Sequence, residues 1–188
     1  FNECDLVPNI LNSVGEPDLK TEVFGTKMDM PIFLSPTAMQ SLYHPDGDKA
    51  SARAAEKFGT IYSMSTMASF SIEEIANLSS GPKIFQLYIH KDQSITDDLI
   101  DRCKRANFNG MCITVDTIVA GNRERDHRTG FTTPPKFTLD SLMSFAMRPQ
   151  WVFNYFTNKK FELANLKDKV EKGTNIAQSV MGYINEQY

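Results

Sequence analysis

The residues best suited to chemistry in this 188-residue chain stand two apart, Gln86 with Tyr88 and Thr114 with Asp116. On a strand, that spacing puts both members of a pair on one face. Two further apolar runs close on hydroxyls: Ser35-Pro36-Thr37-Ala38 follows the first, and Ser63 and Ser65 stand at the second. These groups are neutral donors and acceptors, with Asp116 as their only charge. Such a set suits the polar edge of a planar heterocycle, and Arg123, a little downstream, suits an anionic substrate. Each residue also has a plainer role. Gln86 can be a surface residue and Tyr88 a core residue with a wet hydroxyl. Ser63 and Ser65 are ordinary turn residues. Asp116 can brace a loop, and the run Arg123-Glu124-Arg125-Asp126 can be a solvated face. What favours chemistry is their joint placement at the ends of successive strands.

The elements that place them follow from periodicity. Apolar runs over 30–35, 60–64, 83–88 and 111–116 read as strands whose starts lie about 23 to 30 residues apart, the spacing of βα units in a parallel sheet. They alternate little, which predicts cover on both faces. Between them, 48–58 reads as a helix stopped by Gly59. Ser71-Ile72-Glu73-Glu74 has the form of a capping box. The segment 94–106 places Ile95, Leu99, Ile100 and Cys103 on one helical face. A doubly wound sheet and a (β/α)8 barrel both fit this rhythm, but no GxGxxG follows the first strand, which weakens the dinucleotide-binding version of the former. Parallel-barrel chemistry collects at the C-terminal strand ends, where the polar residues are. The fold class expected is therefore α/β, a (β/α)8 TIM barrel of which about the first four units are present, since a whole barrel takes roughly 250 residues.

After Asp116 the rhythm breaks into an insertion reaching about residue 164, too long for an ordinary βα loop. Short helices are expected over 139–147 and 149–156. From 175 onward Ile176, Val180 and Ile184 recur at helical spacing and would complete the fourth unit.

Composition removes several classes. Twenty Lys+Arg against 23 Asp+Glu give a net charge of −3, without the basic stripe a nucleic-acid binder needs. Hydrophobic content of 41% argues against disorder, and no apolar run approaches the ~18 residues of a membrane span. Cys4, Cys103 and Cys112 cannot all pair within the chain and form no CxxC, while His44, His90 and His127 are scattered. No metal site and a reduced, cytoplasmic setting are the expectations. The opening Phe1-Asn2-Glu3-Cys4 has neither methionine nor signal-peptide character and reads as an internal start.

Four motifs in order, Pro36-Thr37-Ala38-Met39-Gln40 with His44-Pro45-Asp46-Gly47, Phe85-Gln86-Leu87-Tyr88, Thr114-Val115-Asp116-Thr117 and Gly121-Asn122-Arg123-Glu124, resemble the FMN-dependent L-2-hydroxy acid oxidases and dehydrogenases. The resemblance covers essentially the whole chain as the N-terminal half of the family's barrel. It implies FMN across the C-terminal mouth, with Pro36, Thr37 and Ala38 lending backbone beside the ring. Ser65, Gln86 and Thr114 would bond its polar edge. Tyr88 would contact substrate, Arg123 would bind its carboxylate, and Asp116 would orient a catalytic histidine. The motifs of that histidine, its companion arginine and the flavin-contacting lysine do not occur in these 188 residues, so the chain by itself is expected to be inactive. Lactate is the favoured substrate. Mandelate-like acids come second, because Arg128-Thr129-Gly130-Phe131 and Pro134-Pro135 resemble that branch. Oxygen, a quinone or a cytochrome would take the electrons, and the complete enzyme would be a homo-oligomer. Two other readings are another flavin or phosphate barrel, of the type 2 isopentenyl diphosphate isomerase kind, and a non-catalytic half-barrel.

The insertion crowds Phe145, Met147, Trp151, Val152, Phe153, Tyr155, Phe156 and Phe161 beside Arg148, Lys159 and Lys160. Packing on the barrel or a neighbouring subunit is the first expectation. Contact with a membrane surface, at its inner face, is the second, and a lid is the third.

Overall fold

The computed structural model describes residues 5, 7, 10–11, 15–116, 124–129, 138–158 and 162–166. The expected helix from 175 onward, Arg123 and Phe161 lie outside these residues.

Three parallel strands form the main sheet: β3 (Tyr62–Ser65), β4 (Lys83–Tyr88) and β5 (Gly110–Thr114), numbered after a hairpin described below. They lie side by side in chain order, with Ser65 opposite Gln86, Gln86 opposite Cys112 and Tyr88 opposite Thr114. Leu34 extends the order on the far side of β3 by one parallel bridge to Tyr62. Neighbours in strict chain order are the pattern of a β/α barrel, whereas a doubly wound sheet reverses direction at a switch point.

The strand expected over 30–35 is reduced to that single bridge, and Ile32 and Phe33 are exposed. Prolines at 31 and 36 remove backbone donors from both ends of the run, so no ladder can propagate. The Ile32 carbonyl accepts instead from the Thr60 hydroxyl. Cover on both faces holds for β3, every residue of which is buried. It fails for β5, where Cys112 and Ile113 are exposed because β5 is the outermost described strand of its sheet. An antiparallel hairpin that periodicity missed precedes them, β1 (Thr21–Val23) with β2 (Thr26–Met28). Its two-residue turn, Phe24-Gly25, has positive φ at both positions (51° and 72°), as a tight hairpin turn demands.

The helices follow their sequence signals. Helix α1 (Gly47–Lys57) turns Ala52 and Ala55 inward and ends at Gly59, whose φ of +59° would strain any other residue. Helix α2 (Ile72–Leu78) carries the expected capping box, with the Glu74 amide donating to Ser71 Oγ at 3.1 Å and the Ser71 amide to Glu74 Oε2 at 3.0 Å. Helix α3 (Gln93–Arg105) buries Ile95, Thr96, Leu99 and Cys103. With Met64, Phe85, Leu87, Ile72 and Ile75 these residues form one core between sheet and helices.

The insertion contributes α4 (Glu124–Thr129), α5 (Leu139–Ala146) and α6 (Pro149–Thr157), the last two within about a residue of expectation. The α5–α6 pair is tied down where Trp151 Nε1 donates to the Leu42 carbonyl at 2.8 Å. The Trp151 ring is stacked between Phe145 and Tyr155, with centroids 5.5 and 5.2 Å away. The chain then returns to the core. Leu163 and Leu166 are buried, the Ala164 amide donates to the Ala68 carbonyl, and Asn165 Oδ1 accepts the Ile72 amide at 2.9 Å.

Candidate functional site

At the C-terminal ends of the three parallel strands, side chains bond across the sheet. Gln86 Nε2 donates to Thr114 Oγ1 at 2.6 Å, and Gln86 Oε1 accepts from Ser65 Oγ and from the Thr66 amide, each at 3.3 Å. Register explains the row: Ser65 lies directly opposite Gln86, and Thr114 is two residues beyond Gln86's partner Cys112, on the same pleat face. Gln86 is only 5% exposed, so its amide is held in one orientation by partners on both neighbouring strands. An amide has two N–H donors and a hydroxyl one O–H. One amide proton is spent on Thr114, which leaves the second and the Thr114 hydroxyl proton as donors toward a ligand. Those are neutral, pre-oriented groups, the donor set that matches the carbonyl and ring-nitrogen edge of a flavin.

Thr66 has no part in the sequence expectation, yet it fastens this row. Its hydroxyl donates to the Gln86 carbonyl at 2.6 Å and accepts the Tyr88 amide at 3.3 Å. In the sequence it is one more hydroxyl in the run Ser63-Met64-Ser65-Thr66, and only its complete burial directly after β3 sets it apart. Tyr88, two residues past Gln86 on the same face, is half-buried. Asp116 stands exposed two residues past Thr114, just beyond the end of β5, where a strand to 116 was expected. The structure therefore brings Ser65, Gln86 and Thr114 together with Tyr88 beside them. Asp116 is close in chain but outside the bonded row.

Pro36 and Thr37 are exposed and Ala38 is half-buried against the core. This segment is fixed from below, because the Met39 amide donates to the Met67 carbonyl at 3.0 Å and Gln40 Nε2 to the Thr37 carbonyl at 3.3 Å. Met39 holds φ at 55°, a left-handed conformation that an unbranched residue adopts only when its surroundings compel it. A cavity of about 420 Å³ opens beside this segment, lined by Leu34, Ser35, Thr37, Gln40, Ser51 and Tyr62 among others, and none of Ser65, Gln86 or Thr114 reaches it. Among the described residues no cluster of His, Cys, Asp and Glu could hold a metal ion, and no helix is long and apolar enough to cross a membrane.

Residues 1–186 match the family model of FMN-dependent dehydrogenase. Glycolate oxidase 1 of Zea mays is 46% identical over 142 residues, which cover 76% of this chain and 38% of that protein. The glycolate oxidase of Spinacia oleracea is 44% identical over the same shares. The matched segment thus spans well under half the length of these relatives. Among solved structures, an (S)-mandelate dehydrogenase described as a monotopic membrane protein superposes with a TM-score of 0.84 at 28% identity, over 96% of this chain and 47% of that one. A mandelate oxidase solved with (S)-4-hydroxymandelic acid gives 0.70 at 28%, over 98% and 45%.

Proposed function

This chain belongs to the family of FMN-dependent dehydrogenases, and from that premise we propose that it is one flank of an enzyme that oxidises an L-2-hydroxy acid to the 2-oxo acid. The bonded row Ser65–Gln86–Thr114 at the strand ends carries the reading. FMN, when bound, supplies the two-electron acceptor. Ser65, Gln86 and Thr114 would hold its polar edge, and Pro36, Thr37 and Ala38 would lend backbone beside its ring. Tyr88 and Arg123 fix the substrate, the guanidinium gripping the carboxylate so that the reacting carbon is presented in one orientation. Asp116 orients the imidazole that takes the substrate's proton and stabilises the charge that forms on it. Lactate is the substrate we propose, with glycolate and mandelate as its competitors.

The test is steady-state kinetics of the FMN-loaded enzyme with these three acids. Arg123→Met raises KM and lowers kcat/KM for all of them, because a charge-assisted contact is lost. Asp116→Asn lowers kcat by more than about tenfold, or 1.36 kcal/mol. A kcat within about twofold of wild type makes Asp116 a loop brace instead. The 188 residues expressed by themselves show no turnover, since the family's histidine motif is not among them.

A second reading, peripheral docking on a membrane, is favoured by the α5–α6 pair. Leu139, Met147, Phe153 and Phe156 are 67–81% exposed there, with Arg148 between the helices. Large exposed apolar side chains beside a cation suit the headgroup boundary. Such an enzyme works at the inner face of a membrane and passes its electrons to a quinone, whereas oxygen or a soluble cytochrome would not require the contact. A homo-oligomer burying the same face is the competing outcome, and analytical ultracentrifugation with and without vesicles separates the two.

A further inference from the structure

Asp48 has no part in the chemistry above, yet it is a carboxyl with no exposure at all. Its Oδ1 accepts from the Tyr62 hydroxyl at 2.9 Å and its Oδ2 from the Ser69 amide at 2.9 Å. Burial pushes its pKa up, and the hydrogen bonds from Ser69 and Tyr62 offset only part of that rise. A buried carboxyl held by hydrogen bonds alone is costly, so what it holds together bears on its purpose.

Its partners belong to the elements that carry the proposed flavin contacts. Tyr62 opens β3, the strand that ends in Ser65. Ser69 lies in the loop after β3, and its Oγ accepts the Ser41 amide at 3.1 Å. Ser41 follows shortly after the Pro36–Met39 segment, and Met39 bonds to Met67 in that same loop. Helix α1, which carries Asp48, is pressed against Ser41 as well: a Cβ at Gly47 would come within 2.9 Å of the Ser41 amide and hydroxyl. Asp48 is therefore the node where α1, β3, the loop after β3 and the segment after Leu34 meet, and the strained Met39 sits at the rim of that node.

We propose that Asp48 is a positioning residue for the cofactor: through Ser69 and Tyr62 it holds the Pro36–Ala38 backbone at a fixed distance from the Ser65–Gln86–Thr114 row. This rests on the flavin reading of the preceding section. A carboxyl serves because its two oxygens accept bonds in divergent directions, one from the start of β3 and one from the loop after it.

The test compares Asp48→Asn, Tyr62→Phe and Ser69→Ala with wild type in the complete enzyme. Three quantities are read: FMN affinity from fluorescence quenching, the visible circular dichroism of saturated FMN, and the thermal midpoint of the apoprotein. Ser69→Ala keeps the backbone amide bond to Asp48 and removes what the hydroxyl adds, its link to Ser41 and its own side-chain bond to Asp48. It is expected to weaken FMN about fivefold, the size of one net hydrogen bond, and to alter the flavin dichroism with a smaller change in midpoint. Asp48→Asn weakens FMN about tenfold or more, because its amide nitrogen cannot accept. A lowered midpoint with FMN affinity within twofold and unaltered dichroism in all three variants overturns the proposal and leaves Asp48 a stabilising residue. If Asp48→Asn does not fold, Ser69→Ala and Tyr62→Phe decide by the same readings. Failure of the wild-type protein to bind FMN would overturn the flavin reading itself, a result distinct from wild-type binding with insensitive variants.

Discussion

Phe85 at the middle of β4 is wholly buried, while Phe156 on α6 is 79% exposed. Strands β3 and β4 turn most of their apolar side chains into the core and gather neutral polar groups at one end. The α5–α6 pair keeps one aromatic stack for itself and shows much of its remaining apolar surface outward. In the first region the geometry of the polar groups is set by ladder register. In the second the described anchoring includes a hydrogen bond from Trp151 and a ring stack. A site that must hold a ligand to tenths of an ångström belongs on the first kind of structure. A surface that must meet something deformable can be built on the second.

The comparison breaks most sharply at Gln86. Gln86→Ala leaves the Thr66 amide, Ser65 Oγ and Thr114 Oγ1 without the partners described here, each costing about 1–3 kcal/mol where water cannot replace it. A stability loss of about 3 kcal/mol in urea titration is expected, together with loss of FMN. A loss below about 1 kcal/mol would mean that the row is solvated and not pre-oriented. On the other side, Phe153→Ser with Phe156→Ser changes little in stability, since both rings are mostly exposed. It reduces co-sedimentation with anionic vesicles by more than about tenfold, a fully buried Phe being worth about 1.5–3 kcal/mol. Equal sedimentation of variant and wild type removes the membrane reading.

The join between the regions yields the smallest effect. Arg102 grips Glu73 through two bonds of 2.7 and 2.8 Å and reaches the Asn165 carbonyl at 3.1 Å. The guanidinium holds the Glu73 carboxyl down to about 2, from an ordinary 4.5. A depressed carboxyl stabilises the fold above its unfolded pKa, and that contribution is lost as pH falls from about 4.5 toward about 2. Glu73→Gln therefore flattens the acid limb of the stability profile in that window. The change is under about 1 kcal/mol, because the carboxylate is half-exposed and screened. An unchanged acid limb would show that the pair is not felt in solution.

What was legible in the chain was local. The β4 run 83–88, the Ser71 capping box, Gly59 and the two insertion helices all rest on neighbours within a few residues, and all hold. The spacing of Gln86 and Tyr88 on one strand face was legible for the same reason, whereas the strand expected to carry Thr114 and Asp116 together ends at Thr114. The run 30–35 failed where two prolines outweighed its hydrophobicity, and the Phe24-Gly25 hairpin was missed because three-residue strands carry almost no period. Asp48 entered only as the first residue of the expected helix 48–58, because its partners Tyr62 and Ser69 lie 14 and 21 residues away. The Asn165 bond to Ile72 spans 93 residues and leaves no trace in either local pattern.

That last contact makes the insertion interchangeable. The chain leaves the sheet at Thr114 and is pinned again at Leu163–Leu166, so the intervening segment is a closed loop whose ends are set independently of its contents. Closing a flexible loop twice as long costs only about 0.6 kcal/mol more. A barrel with such a clasp can exchange the part that carries α5 and α6, a greasy pair of helices in one descendant and a polar flap in another, while the row at the strand ends stays in register. Diversification of where the protein works is thereby uncoupled from what its strand ends hold.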